Sequence, residues 1–350
     1  MSSSRTRALA LVESPAQLLN VLELAHADPS LFRVPIVVLA PGEGPGRDQL
    51  GRMADLARES GHEVCWSDPR RGGVPAARCA VDLLTRLGGI RRLVVGDPFS
   101  GVLQMLIALV RPTEVTVVDD GTATLEFARQ WAHGDRLTRW HTAEHPYGVS
   151  VRARDRLALL TQHRLGPLTC RLRLFTSLPT EVDGSALQGV EILRNSYAWL
   201  RVRCPFPEVT DGADLVGTSL VESGVVRADA YLEGVRHLLA QLGVRRYLAH
   251  RRESDAKLAQ IAALGVQVVR PPLPLELVAR YGPVARTIVS FPSTVVHTLP
   301  LVLAGTGVQT VICPVPSDWY TERAPQRAGA FLGTVTDSAR ARHGLLAVAC

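Results

Sequence analysis

The chain has 350 residues, 46% of them hydrophobic, which is the apolar content of a globular protein at a length that favours two domains. The formal charge is +6, but all but one of the 39 basic residues are Arg, the exception being Lys257, and they are scattered without interleaved aromatics. That distribution reads as a solvated Arg-rich surface with no nucleic acid partner expected, and it leaves a few arginines to serve an anionic small substrate.

Taken in chain order, the first third alternates short apolar runs with helical patterns. Ala8–Val12, Val34–Leu39, His62–Trp66, Leu93–Val95 and Val115–Val118 read as strands, with helices expected at 15–27, 46–60, 75–88 and 99–110. Segment 130–200 is Arg-rich and less periodic, and Cys204–Gly212 reads as a linker. The alternation then resumes. Strands are expected at 214–216, 246–249, 266–269, 287–289 and 310–312, and helices near 229–242, 254–264, 274–281, 293–304 and 321–330. The pattern predicts an α/β protein with two Rossmann-type parallel-sheet domains facing a cleft, residues 1–205 and 206–350.

Open parallel sheets bind ligands at the carboxyl ends of their strands, so the loops after strands carry the interest. Glu13-Ser14-Pro15-Ala16-Gln17 follows the first strand. Ser14 suits an N-cap, Pro15 the first helical turn and Gln17 a capping box, and the same loop is a candidate acceptor-binding loop. Asp119-Asp120-Gly121 ends the fifth strand. Two adjacent carboxylates repel, which favours a raised pKa and a general base, while an Asp-Gly turn is the structural alternative. His250 ends a later strand beside Arg251 and Arg252, cations suited to phosphate or carboxylate. Ser293 and Thr294 open an apolar helix, where hydroxyls and backbone N–H groups can either cap or hold phosphate.

Several signatures are missing from the sequence. There is no G-x-G-x-x-G, no P-loop, no H-E-x-x-H, no G-x-S-x-G and no D-x-D. Neither a dinucleotide cofactor nor a metal clamp is therefore expected. The six cysteines, at 65, 79, 170, 204, 313 and 350, show no C-x-x-C spacing, so neither zinc nor a disulfide framework is expected. No run of 18 apolar residues lacks charges, and no signal-type segment follows Met1, so a cytoplasmic protein without a transmembrane span is expected.

The ordered set of Leu11–Asn20, Asp119–Gly121, Leu215–Glu222, Ala249–Glu253, Pro272–Glu276 and Ser290–Thr294 resembles bacterial GT-B sialyltransferases, in particular the α-2,8-polysialyltransferase-like family. The resemblance implies an inverting glycosyltransferase that takes a CMP-activated acidic sugar as donor substrate, needs no metal or cofactor, and acts on a hydroxyl acceptor. It implies Asp120 as base, with Asp119 second, and His250 as the residue meeting the departing phosphate. Glu276 would hold the cytidine ribose. Ser293 and Thr294 would hold the phosphate, with Arg251, Gly217 and Thr218 on the donor side and Glu13, Ser14 and Gln17 on the acceptor side. Many of these enzymes carry His-Pro where this chain has His250-Arg251, and the one His-Pro pair, His145-Pro146, lies in the irregular middle segment. An acceptor on a lipid would have to be reached peripherally. A GT-B transferase with another activated donor, and a catalytically silent anion- or glycan-binding protein, are the alternatives.

Overall fold

The computed structural model describes residues 7–41, 44–68, 81–138, 149–181, 186–322, 324 and 326–350. They fall into two compact units, Met1–Trp199 and Leu200–Cys350. Unit 1 runs β1 (Ala8–Val12), α1 (Pro15–Ala27), β2 (Ile36–Leu39), α2 (Pro45–Glu59), β3 (Val64–Ser67), α3 (81–87), β4 (Arg92–Val95), α4 (Gly101–Val110), β5 (Glu114–Val118), α5 (Thr122–His133), α6 (Val149–Leu165), β6 (Arg171–Thr176) and β7 (Val190–Arg194). Helix α7 (Ala198–Arg203) crosses the boundary. Unit 2 continues with β8 (Val209–Val216), α8 (Ala228–Leu242), β9 (Val244–Leu248), α9 (Asp255–Ala262), β10 (Gln267–Val269), α10 (Leu275–Tyr281), β11 (Val284–Ser290), α11 (Val295–Val302), β12 (Gln309–Ile312), α12 (Gln326–His343) and β13 (Leu346–Ala347).

Every strand pair within the two sheets is parallel. The orders are β3-β2-β1-β4-β5-β6-β7 and β10-β9-β8-β11-β12-β13. Both follow the doubly-wound plan, in which the order reverses beside the first strand of each unit. The central strands read as unbroken apolar runs because helices cover both faces of such a sheet. Thus Leu11, Val95, Val117 and Leu174 pack with Leu103, Leu106 and Phe127 in unit 1. In unit 2, Leu215, Tyr247 and Val289 pack with Tyr231, Val235, Leu238 and Ile261.

Three sequence expectations need correction. Residues 204–212 are not wholly linker, since β8 begins at Val209 and pairs with β11 through Val209↔Val284. The less periodic middle segment holds α6, β6 and β7, and Arg171 and Arg173 of β6 enter a cross-strand ladder. Arg92 meets Glu114 at 2.9 Å, Glu114 meets Arg173 at 3.0 Å, and Arg171 meets Glu191 at 2.8 Å. A disulfide joins Cys313 to Cys350 with Cα atoms 6.5 Å apart, a pairing that sequence spacing does not encode. The expected helix at 75–88 lies partly, and His145-Pro146 wholly, outside the described residues. Among the described residues no helix is long and apolar enough to cross a membrane.

Candidate functional site

In unit 1 the register sets Leu11, Val95 and Val117 level, so the loops after β1, β4 and β5 emerge side by side at the carboxyl edge. Ser14 caps α1, accepting the Gln17 N–H at 3.2 Å, and Gln17 Oε1 accepts the Glu13 N–H at 2.7 Å. The Ser14 hydroxyl also donates to Asp120 Oδ1 at 2.9 Å, so one residue both starts the helix and orients a carboxylate from β5. Gln17 is buried, with the backbone of Gly96 against its side chain; a Cβ there would collide with it. It shapes the turn and does not face solvent.

The two aspartates sit in different surroundings. Asp119 is buried; its Oδ2 accepts the Ser177 N–H at 2.8 Å and the Ser177 hydroxyl at 3.2 Å. Burial outweighs these bonds and pushes its carboxyl up to about 6. Its backbone carbonyl accepts from Asn20 Nδ2 at 2.9 Å, and Asn20 Oδ1 in turn accepts from Asn195 Nδ2 at 2.9 Å. Asp120 is half-buried, with its N–H on Thr124 Oγ1 at 2.9 Å. Gly121 at φ +64 turns the chain directly into α5, a conformation that costs glycine little. One carboxylate is locked into the scaffold, and its neighbour is presented.

In unit 2, Val216, Leu248 and Ser290 share one register, so β8, β9 and β11 end level at the reversal of strand order. After β9, the His250 N–H donates to Glu253 Oε2 at 2.6 Å, and His250 Nδ1 accepts the Arg252 N–H at 3.2 Å. Accepting at Nδ1 leaves the ring proton of the neutral imidazole on Nε2. Burial, with Arg251, Arg252 and Lys257 nearby, pushes His250 down to about 4, so it is neutral at pH 7. Arg251 is half-buried.

After β8, Gly217 lies so close to Glu253 and the Tyr247 hydroxyl that a Cβ would collide with both. Thr218 Oγ1 accepts the Leu220 N–H at 3.0 Å. Gly217 and Thr218, expected on the donor side, are therefore packed into the loop's own support. After β11, Ser293 and Thr294 are half-buried, and Thr294, the N-cap of α11, makes no side-chain capping bond. Capping therefore does not consume its hydroxyl. Glu276, in the first turn of α10, accepts the Thr298 hydroxyl at 2.7 Å, which ties α10 to α11.

The structure thus gathers Ser14 with Asp120, and His250 with Glu253, Thr218 and Gly217. Ser177, Asn20, Asn195, Glu253 and Lys257 were not singled out as site residues from sequence. Their partners lie as far as 175 positions away, and only the chemistry of a buried polar side chain points to them. Among the described residues no group of three or more His, Cys, Asp or Glu could hold a metal ion.

No protein-family signature matches the chain, and no curated protein is similar to it in sequence. Solved structures do match in fold. A putative UDP-N-acetylglucosamine 2-epimerase from Listeria monocytogenes aligns at 11% identity over 90% of this chain and 80% of that one, with a TM-score of 0.50. The S. aureus MnaA–UDP co-structure aligns at 9% identity over the same shares, also with a TM-score of 0.50. Acinetobacter baumannii MurG aligns at 13% identity over 98% and 85%, with a TM-score of 0.40. At such identities the likeness is one of fold, and together with the two sheet orders it assigns the chain the GT-B-like architecture of two Rossmann-type domains.

Proposed function

We propose that the chain is an inverting, metal-independent glycosyltransferase that takes a CMP-activated acidic sugar and transfers it to a hydroxyl acceptor. One observation carries the reading: Asp120 is a half-buried carboxylate held by Ser14 beside a second carboxylate that is fully buried. That is how a general base is presented while its neighbour keeps the loop in place. Asp120 takes the proton from the acceptor hydroxyl as that oxygen attacks the anomeric carbon, and the carbon–phosphate oxygen bond breaks with its electron pair going to the phosphate. The expected acceptor-side groups are Glu13 and Ser14.

Departing phosphate is the task assigned to unit 2. Neutral His250 has its Nδ1 engaged, so it donates Nε2–H to a phosphate oxygen without needing to be cationic. Ser293, Thr294 and the backbone N–H groups opening α11 add donors, and Arg251 adds charge. Glu276 is assigned the ribose hydroxyls, Gly217 and Thr218 the wall of the donor loop. A monophosphate leaving group needs no diphosphate-bridging metal, and the sequence offers no D-x-D.

A second reading is favoured by the fold likeness to a UDP-N-acetylglucosamine 2-epimerase and to a UDP complex. In that reading the donor loops hold UDP. Calorimetry with CMP, UDP, GDP and ADP decides between the two. Binding of CMP in preference to the others, with turnover of a CMP-sugar surviving EDTA, is expected. Binding of UDP alone would replace the first reading with the second.

A further inference from the structure

The one lysine among 39 basic residues lies behind the His250 loop, and it is buried. Lys257 Nζ lies 2.8 Å from Glu253 Oε1, whose side chain is 0% exposed, and 3.3 Å from Glu222 Oε2. It also donates to the Thr218 carbonyl at 2.8 Å and stands 4.1 Å over the centre of the Tyr231 ring. These contacts use the ammonium's three protons in three directions, with an aromatic face beneath. A planar guanidinium cannot reproduce that arrangement in the same space, which accounts for a lysine in a chain that otherwise uses arginine.

Glu253 is the hub. Its Oε2 accepts the His250 N–H at 2.6 Å, and its Oε1 accepts the Tyr247 hydroxyl, which meets the Tyr231 hydroxyl at 2.8 Å. Burial raises the Glu253 carboxyl, and the Lys257 ammonium opposes that rise. Glu222 Oε1 further accepts the N–H of Ser254, the N-cap of α9, at 3.1 Å. The loops after β8 and β9 are therefore joined through one ammonium.

We infer that Lys257 is the positioning residue of the phosphate-facing loop: through Glu253 it fixes the His250 backbone, and through the Thr218 carbonyl it fixes the turn after β8. This rests on the nucleotide reading given above. The loop it sets is the one that must place Nε2–H of His250 and the Arg251 side chain against a nucleotide phosphate. The three oxygen partners of the ammonium, on Glu253, Glu222 and Thr218, all lie on the loops after β9 and β8, so a phosphate that displaces those loops is expected to alter the surroundings of Nζ.

The test compares CMP and UDP with their nucleosides, cytidine and uridine, in calorimetry on the full chain and on Lys257→Met and Lys257→Arg. Loss of the ammonium is expected to weaken the nucleotide at least about tenfold, the worth of one charge-assisted contact, and to leave the nucleoside unchanged. Arginine is expected not to restore it. A wild-type chain that binds no nucleotide overturns the functional reading. A wild-type chain that binds nucleotide, with Lys257→Met keeping the wild-type nucleotide-to-nucleoside ratio, overturns this inference alone. Should the variants not fold, selective ¹⁵N-lysine labelling of the wild-type chain decides, because its one side-chain Nζ resonance needs no assignment. A shift on adding CMP or UDP and none on adding the nucleoside supports the positioning role; no shift at saturating nucleotide overturns it.

Discussion

The two units share a sheet order but carry opposite chemistry at the same topological place. Where strand order reverses in unit 1, the adjoining loops bring carboxylates: Glu13 after β1, Asp97 after β4, and Asp119 and Asp120 after β5. At the equivalent place in unit 2 they bring His250, Arg251 and Arg252, the hydroxyls of Ser293 and Thr294, and a helix start. A shared scaffold thus fixes where groups converge, and the loop residues decide whether the place suits a hydroxyl or a phosphate. Three acidic groups near these loops in unit 2 have partners of their own, Glu253 and Glu222 in Lys257 and Glu276 in the Thr298 hydroxyl.

The sharpest way to break this comparison is to remove the presented carboxylate of unit 1. Asp120→Asn is expected to lower turnover by roughly 10²–10⁴, the usual worth of a positioned base, while leaving nucleotide affinity in unit 2 within about twofold. Asp119→Asn should cost far less in rate, since that carboxylate faces Ser177 and has no solvent path. Steady-state kinetics with the true acceptor read both. A larger loss at Asp119 would exchange the two assignments, and near-wild-type turnover in both would make the loop structural.

Titration separates the units next, through groups of opposite sign. In unit 2, His297 is fully buried against the His343 ring and pushed down to about 4, and His250 is pushed to the same value. Their unfolded imidazoles take protons near 6.5, so the stability they confer is complete above that pH and lost as pH falls toward 4. In unit 1, Asp119 holds its proton up to about 6 against an ordinary 3.8, so its contribution is present at low pH and lost as pH rises through 6. Acidification from pH 7 to 5 therefore weakens unit 2 while relieving unit 1. Each buried group carries on the order of a few kcal/mol. His297→Gln should flatten the acid limb of a Tm–pH curve, and Asp119→Asn should steepen it. Identical slopes in wild type and both variants would remove these groups from the account.

How far the sequence was legible follows the same physics. Helix α1 begins and ends as expected at 15–27 because Ser14, Pro15 and Gln17 are local signals. Strand β6, Arg171-Leu-Arg-Leu-Phe-Thr176, was missed because its arginines suggested a solvated stretch, whereas Arg173 is paired with Asp28 and Glu114 from distant elements. The Asp119-Asp120 pair was visible, but which of the two is buried depends on Ser177, 58 positions away. Gly217, placed on the donor side by the resemblance, also has a packing reason that the sequence does not show, the closeness of Glu253 and Tyr247.

That packing reason has a measurable counterpart in each unit. Gly96→Ala would press on Gln17, and Gly217→Ala on Glu253 and Tyr247. Overpacking of this kind costs about 1–3 kcal/mol, read as a fall in denaturation midpoint without change of slope. Gly217→Ala should in addition weaken nucleotide binding, since it displaces the hub that holds His250, whereas Gly96→Ala should not. Equal effects on nucleotide would show that the two turns do not serve separate ligands.

The smallest expected effect tests two hydroxyls that sequence reading could not tell apart. Ser14 and Thr294 each stand at the start of a helix that follows a central strand. The Ser14 hydroxyl is committed, accepting the Gln17 N–H and donating to Asp120. Thr294 makes no side-chain capping bond to α11, so its hydroxyl has no such commitment. Ser14→Ala should therefore lower stability by about 1 kcal/mol, the ordinary cost of losing an N-cap, and reduce turnover modestly because Asp120 loses its orienting bond. Thr294→Val keeps the shape and removes only the hydroxyl, and its effect on stability should stay within about 0.5 kcal/mol. Its cost should appear in nucleotide affinity, as the loss of one donor to phosphate. Chemical denaturation and calorimetry on the two variants give four numbers, and the expected pattern is crossed, with stability falling only at Ser14 and affinity only at Thr294. Were Thr294→Val to destabilise the fold and leave nucleotide binding intact, the hydroxyl would be a structural group, and the start of α11 would lose its place in the donor site.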